Sequence, residues 1–118
     1  MPGTDDPAPG DDRGGGTQVK TEEHTLLTII TEAALEFVVT DELERLGARG
    51  WTVIDARGWG DEGEREPGIA TSGNIHIEVV CDPPVAEAIA RHLSETYFDD
   101  HAMILYMSDV RVLRGEKF

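Results

Sequence analysis

With 118 residues the chain has room for one domain built around one ordinary hydrophobic core. Its formal net charge of −14 would repel a phosphate backbone or an anionic membrane surface, which argues against nucleic acid as a partner and against direct membrane insertion. A lone cysteine, Cys81, leaves no intramolecular disulfide and makes the reducing cytoplasm the default compartment. No stretch approaches the ~18 apolar residues of a membrane span, and the N-terminus lacks the basic and then apolar regions of a secretory signal.

Residues 1–23 combine Gly14-Gly15-Gly16, three prolines and the acidic pairs Asp5-Asp6 and Asp11-Asp12, a composition expected to give a disordered tail. The domain is expected to span 24–118, with folding starting near Thr25. Thr25 to Thr31 is a β-branched run that suits a buried strand. Leu35, Val38, Val39, Glu42, Leu43 and Leu46 then follow helical spacing, opened by Thr31 or Glu32 and closed by Gly47, which predicts a helix of about four turns. Trp51 to Arg57 reads as a second strand. Asn74 to Val80 alternates cleanly, with Ile75, Ile77 and Val79 on one face and His76 and Glu78 on the other. Pro83 and Pro84 start a second helix whose stripe is expected to run Val85, Ala88, Ile89, His92 or Leu93, and Thr96. Met103 to Val112 supplies the last strand.

The order β-α-β-β-α-β predicts a ferredoxin-like α+β fold, a four-stranded antiparallel sheet with two helices on one face. The first and last strands are apolar on both alternating sets, so the open face is expected to be buried against other subunits. Such folds host many functions, and the site has to be sought in the connections. Residues 58–73 join adjacent antiparallel strands with sixteen residues, where a hairpin needs only two to five. In that connection Gly58 and Gly60 let backbone amides approach an anion, and Arg65 offers a guanidinium fork to a phosphate or carboxylate. The other connection, Tyr97 to Ala102, links the second helix to the last strand. Arg57, Arg65, Arg111, Arg114 and Lys117 are expected to gather around the long loop and the C-terminal strand.

Several segments carry a family resemblance over residues 25–118. They are Gly47-Ala-Arg-Gly50-Trp-Thr52, Arg57-Gly-Trp-Gly60, Ser72-Gly-Asn-Ile-His-Ile-Glu-Val, and the ending Tyr97-Phe-Asp-Asp through Ile104-Leu-Tyr to Asp109-Val-Arg-Val-Leu-Arg-Gly-Glu-Lys-Phe118. The chain resembles PII-like signalling proteins, in particular the carboxysome-associated and bicarbonate-transporter-associated branch. The resemblance implies a homotrimer with adenine nucleotide in the clefts between subunits. It also implies that residues 58–73 form the signalling T-loop, read by a bicarbonate transporter or carboxysome component in carbon concentration. By position, Gly58, Trp59 and Gly60 would line the phosphates, Thr52 would sit beside the base or ribose, and Tyr97 to Met103 would form the opposite wall. Within that wall His101 is the one cationic candidate. Arg65 stands where this branch carries a phosphate-contacting arginine, and Arg111 and Arg114 are further basic candidates. Gly58, Trp59, Gly60 and Arg65 would also serve bicarbonate. The chain departs from uridylylated PII proteins in lacking the loop tyrosine, in placing Asp61 and Glu62 where they have Arg or Lys followed by Gln, and in lacking a glycine- and lysine-containing turn for the ATP γ-phosphate. AMP or ADP therefore suits the site better than ATP.

Two other functional classes fit the sequence less well. A trimeric metal-tolerance protein of the CutA type would need a ligand cluster, but His76 and Glu78 with Cys81 or His92 have no C-x-x-C or H-x-x-x-H spacing, and no metal is expected. A slow nucleotide hydrolase would need an activated group. Asp99 and Asp100 give no reason for a raised pKa and read as turn residues, and no nucleophile elbow, P-loop or Ser-His-Asp arrangement is present, so an enzyme is not expected.

Overall fold

The computed structural model describes residues 18–58 and 73–118. The expectations for the tail up to residue 17 and for loop residues 59–72 lie outside them. Four strands, β1 (Glu22–Glu32), β2 (Thr52–Ala56), β3 (Asn74–Cys81) and β4 (Ile104–Val112), form one antiparallel sheet in the order β2-β3-β1-β4. Helices α1 (Glu36–Arg45) and α2 (Pro83–Tyr97) supply the remaining layer. This is the expected ferredoxin-like arrangement.

Strand register explains how the sheet divides its side chains. Val53, Ile77, Ile29 and Leu105 stand in one cross-strand row, with Val79 beside Leu27 in another, and these residues feed the core. Leu27, Ile29, Ile77 and Val79 are fully buried there with Val39 and Leu43 of α1 and Ile89 and Leu93 of α2. One residue out of phase, Ile54, His76, Ile30 and Ile104 form a row on the other face, and Thr52, Glu78, Thr28 and Tyr106 form the next. Period-two alternation thus sends one set to the helices and leaves an apolar set on the open face.

The structure departs from expectation at several element boundaries. Strand β1 starts at Glu22 and runs on to Glu32, because Thr31 pairs with Ile75 and Glu32 with Asn74; the helix therefore cannot open at either. A 3-10 turn, Ala33–Leu35, intervenes, and α1 has ten residues, under three turns rather than four. Its inward residues are Val39, Thr40 and Leu43, while Val38 faces out beside Phe37. The α2 stripe is also rotated by about one position from that expected, to Ala86, Ile89, Leu93 and Tyr97. Burying the Tyr97 ring removes far more apolar surface from water than burying Thr96, which stays exposed. Pro83 and Pro84 open the helix where a missing N–H costs nothing, and the Asp82 carbonyl accepts from the Val85 and Ala86 N–H groups.

Gly47 ends α1 in a Schellman motif. Its own N–H donates to the Glu44 carbonyl at 3.2 Å, and the Ala48 N–H donates to the Leu43 carbonyl at 2.9 Å. The geometry needs φ = +115° at Gly47, which L side chains rarely adopt. A Cβ there would meet the Val85 methyls at 3.5 and 3.6 Å, an ordinary contact, so the cost of substitution lies in the backbone. Gly47→Ala is expected to lower stability by about 1–2 kcal/mol, read as a lower urea midpoint with an unchanged slope.

Candidate functional site

Both unusual connections leave and return at the same end of the sheet. Strand β2 ends in the row Ala56, Asn74, Glu32, and exposed Arg57 and Gly58 continue past it. The chain comes back at Gly73, whose carbonyl accepts the Ala33 N–H at 2.7 Å, so the returning arm of the long loop is tied to the end of β1. Strand β4 begins beside Ile30, which brings residues 98–103 to this end as well.

That turn is held from beneath. The Tyr97 carbonyl accepts from the Asp100 and His101 N–H groups at 3.1 and 2.9 Å, and the Met103 N–H donates to the His101 carbonyl at 3.0 Å. The Tyr97 ring is buried, and its hydroxyl donates to the Glu42 carboxylate, 3.1 and 3.2 Å from the two oxygens. His92 Nε2 lies 3.4 Å from the same carboxylate, so Glu42 gathers two α2 side chains onto α1. Burial, reinforced by the hydrogen bond to Glu42 and by its charge, raises the Tyr97 pKa, and the phenol stays protonated. The His101 ring meets Tyr97 edge-on at 5.7 Å, and its Nδ1 is 3.3 Å from Glu32 Oε2. Carboxylates only accept, so His101 donates.

Each residue singled out in the sequence has a definite place where the structure describes it. Gly58, His101 and Met103 share the loop end of the sheet, with Met103 packed into the core and His101 half-buried. Tyr97 is a core residue whose hydroxyl faces Glu42; it supports the turn and does not line it. Thr52 is exposed on the open face, in the row of Glu78 and Thr28. Arg111 pairs with Glu23, and Arg114 follows with φ = 59°, 4.0 Å from Glu116. Trp59, Gly60 and Arg65 lie outside the described residues.

Among the described residues the expected gathering of basic side chains fails within one chain. Strand β4 runs away from the loop, and Arg111 is seven residues beyond Ile104, roughly 24 Å along the strand. Arg57 stands at one end of the sheet and Arg111, Arg114 and Lys117 at the other. Sequence proximity to the last strand cannot reveal this separation; the register does. Sequence reasoning also misses Glu32 and Glu42 as site-shaping residues. Glu32 reads as a helix opener and Glu42 as a polar interruption of an apolar stripe, because their partners lie far off in sequence.

The residues considered for a metal diverge. His76 Nε2 lies 3.3 Å from Glu78 Oε2 on the open face, Cys81 is buried on the helix side, and His92 faces Glu42. Among the described residues no group of three or more His, Cys, Asp or Glu side chains is placed to hold a metal ion. Burial, with a smaller contribution from Asp82, pushes the Cys81 thiol up to about 11, so it behaves as a small apolar side chain. Among the described residues no helix is long and apolar enough to cross a membrane.

A split βαββαβ sheet with a long β2–β3 connection defines the class, and the comparisons identify the family. The model for the nitrogen regulatory protein P-II matches residues 24–117, and the chain belongs to that family. Among solved structures, a PII-like signaling protein from Thermus thermophilus is 38% identical, with a TM-score of 0.74 over 85% of this chain and 99% of that one. CPII from Thiomonas intermedia, a nitrogen regulatory PII-like protein bound to ADP, AMP and bicarbonate, is 25% identical, with a TM-score of 0.78 over 86% of this chain and 98% of that one. A second CPII structure, bound to ADP and bicarbonate, gives a TM-score of 0.77 at 25% identity over 86% of this chain and 99% of that one.

Proposed function

We propose that this PII-family chain is a homotrimeric, cytoplasmic regulator and not an enzyme. It binds AMP or ADP in the clefts between subunits, takes bicarbonate as a second ligand, and signals through residues 58–73 to inorganic-carbon uptake or carboxysome machinery. The observation that carries the reading is family membership over 24–117, joined to a relative at 25% identity that holds ADP, AMP and bicarbonate. The placement of the candidate residues supports an intersubunit cleft. Gly58 and His101 are at one end of the sheet and Arg111 and Arg114 at the other, so a site using both groups has to take them from different subunits.

In this reading the amides at Gly58, Trp59 and Gly60 and the guanidinium of Arg65 receive the phosphates and bicarbonate. Thr52 and the Arg111 and Arg114 side chains of a neighbouring subunit complete the cleft. The calorimetric test titrates AMP, ADP, ATP and cyclic AMP into the full chain, with and without bicarbonate. AMP or ADP is expected to bind more tightly than ATP. Arg65→Ala should weaken that binding by about 1.5–3 kcal/mol, a factor of roughly 10–150, without changing the melting temperature. Unchanged affinity would move the phosphate to Arg111 or Arg114, and no uptake of any adenine nucleotide would overturn the reading.

A further inference from the structure

The turn after α2 offers an incoming anion very few donors. Between Phe98 and Met103 the side chains are Phe98, Asp99, Asp100, His101, Ala102 and Met103, so the His101 imidazole is the one side chain able to donate to a phosphate. The backbone N–H groups of Asp100, His101 and Met103 are already used inside the turn. The imidazole Nδ1–H points at Glu32 Oε2, 3.3 Å away. Glu32 comes from a different element, the last residue of β1, next to the Ala33 N–H that holds Gly73.

The two partners differ in freedom. His101 sits on a ring that is itself fixed, since Tyr97 is buried and its hydroxyl is held by Glu42. Among the described residues Glu32 has no such anchor, and about a third of its side chain is exposed, 35% against 32% for His101. A contact this open to water is weak, and the carboxylate can turn into solvent without a desolvation penalty. Both ligands of the imidazole, carboxylate and phosphate, are anions that only accept, so they compete for the same proton.

Resting on the nucleotide-binding reading above, we infer that Glu32 is a specificity-determining residue of that site: it occupies the His101 donor in the empty protein and must give it up to a nucleotide phosphate. Affinity is thereby held below what the turn could supply, and only an anion that outcompetes a tethered carboxylate is accepted.

The test is a double-mutant cycle by calorimetry with ADP on the full chain, comparing wild type, Glu32→Ala, His101→Phe and the double variant. Phenylalanine keeps a ring against Tyr97 but has no donor, and alanine at 32 removes the competing acceptor without adding a donor. Circular dichroism melts confirm that all four fold. Glu32→Ala is expected to tighten ADP binding about 3–10-fold, and His101→Phe to weaken it by a similar factor. In the His101→Phe background the gain from Glu32→Ala should fall below about twofold, because the donor being contested is gone. An equal gain in both backgrounds would assign Glu32 to simple charge repulsion and overturn the competition. Wild-type binding with no response to Glu32→Ala overturns this inference alone. Absence of ADP binding in all four proteins overturns it together with the reading on which it rests.

Discussion

Light scattering at micromolar concentration is expected to give three times the 12.9 kDa of one chain, and Ile104→Glu to bring the mass down to that of a single chain. The reason lies in the face of the sheet that the helices leave open. Ile54, Ile104 and Tyr106 are each half exposed in the isolated chain, and Ile30 stands between Ile104 and His76 in the same row. A chain with a net charge of −14 has ample polar residues for its surface, yet it places isoleucines across three of the four strands of this face. Contiguous apolar area of this kind marks an interface. Each isoleucine completely buried by association contributes about 1.5–3 kcal/mol, repeated in every copy by symmetry. A glutamate at 104 reverses the sign. Its carboxylate is harmless in water on an edge strand, but in a closed interface it loses hydration worth several kcal/mol with no partner to replace it. The isolated chain keeps its core, so circular dichroism should stay the same while the mass falls threefold. A monomeric wild type would remove the trimer, and with it the intersubunit cleft.

What is legible in the sequence and what is hidden there follow from the range of the interactions concerned. Strand β3 can be read with its faces assigned, because Ile75, Ile77 and Val79 alternate with His76 and Glu78 and burial on one side is a local pattern. The open face of β1 is legible for a different reason: with apolar residues on both alternating sets, each side of the strand calls for cover. Helix α1 reads too long because Thr31 and Glu32 satisfy helix-opening preferences, whereas in the fold they complete a ladder with Ile75 and Asn74. Pairing with a strand more than forty residues away outweighs a local preference. The α2 stripe is misplaced when Tyr97 counts as part of the following loop. Its burial depends on Glu42 accepting from its hydroxyl, a partner 55 positions earlier. The Glu32–His101 contact spans 69 positions and is likewise invisible. The basic residues give the opposite error. Their apparent grouping is one of sequence, and antiparallel pairing of β1 with β4 sends them to opposite ends of the sheet.

Ile77→Ala is expected to cost about 2–5 kcal/mol, whereas Phe37→Ala, a larger loss of hydrophobic side chain, should change stability by no more than ~0.5 kcal/mol. Hydrophobicity read from the sequence would rank the two the other way. Phe37 lies on the outer side of α1 and is 76% exposed, so its ring has little to lose on truncation. Ile77 is completely buried in the middle of β3, with Val53 and Ile29 as its cross-strand neighbours, and it belongs to the core cluster that both helices contribute to. Truncation to alanine removes three carbons, at about 0.8 kcal/mol of transfer free energy each. The rest of the cost is the cavity, because backbones paired on both sides of β3 cannot close over the space. A domain of this size has about 5–15 kcal/mol in total, so the loss is a large part of it. Assembly is linked to folding in an oligomer, and the two variants have to be compared with wild type at one chain concentration. Urea melts followed by far-ultraviolet circular dichroism under those conditions should show a clear drop in midpoint for Ile77→Ala and almost none for Phe37→Ala. Comparable losses in the two would mean that the outer side of α1 is covered in the assembled protein, and that Phe37 is an interface residue.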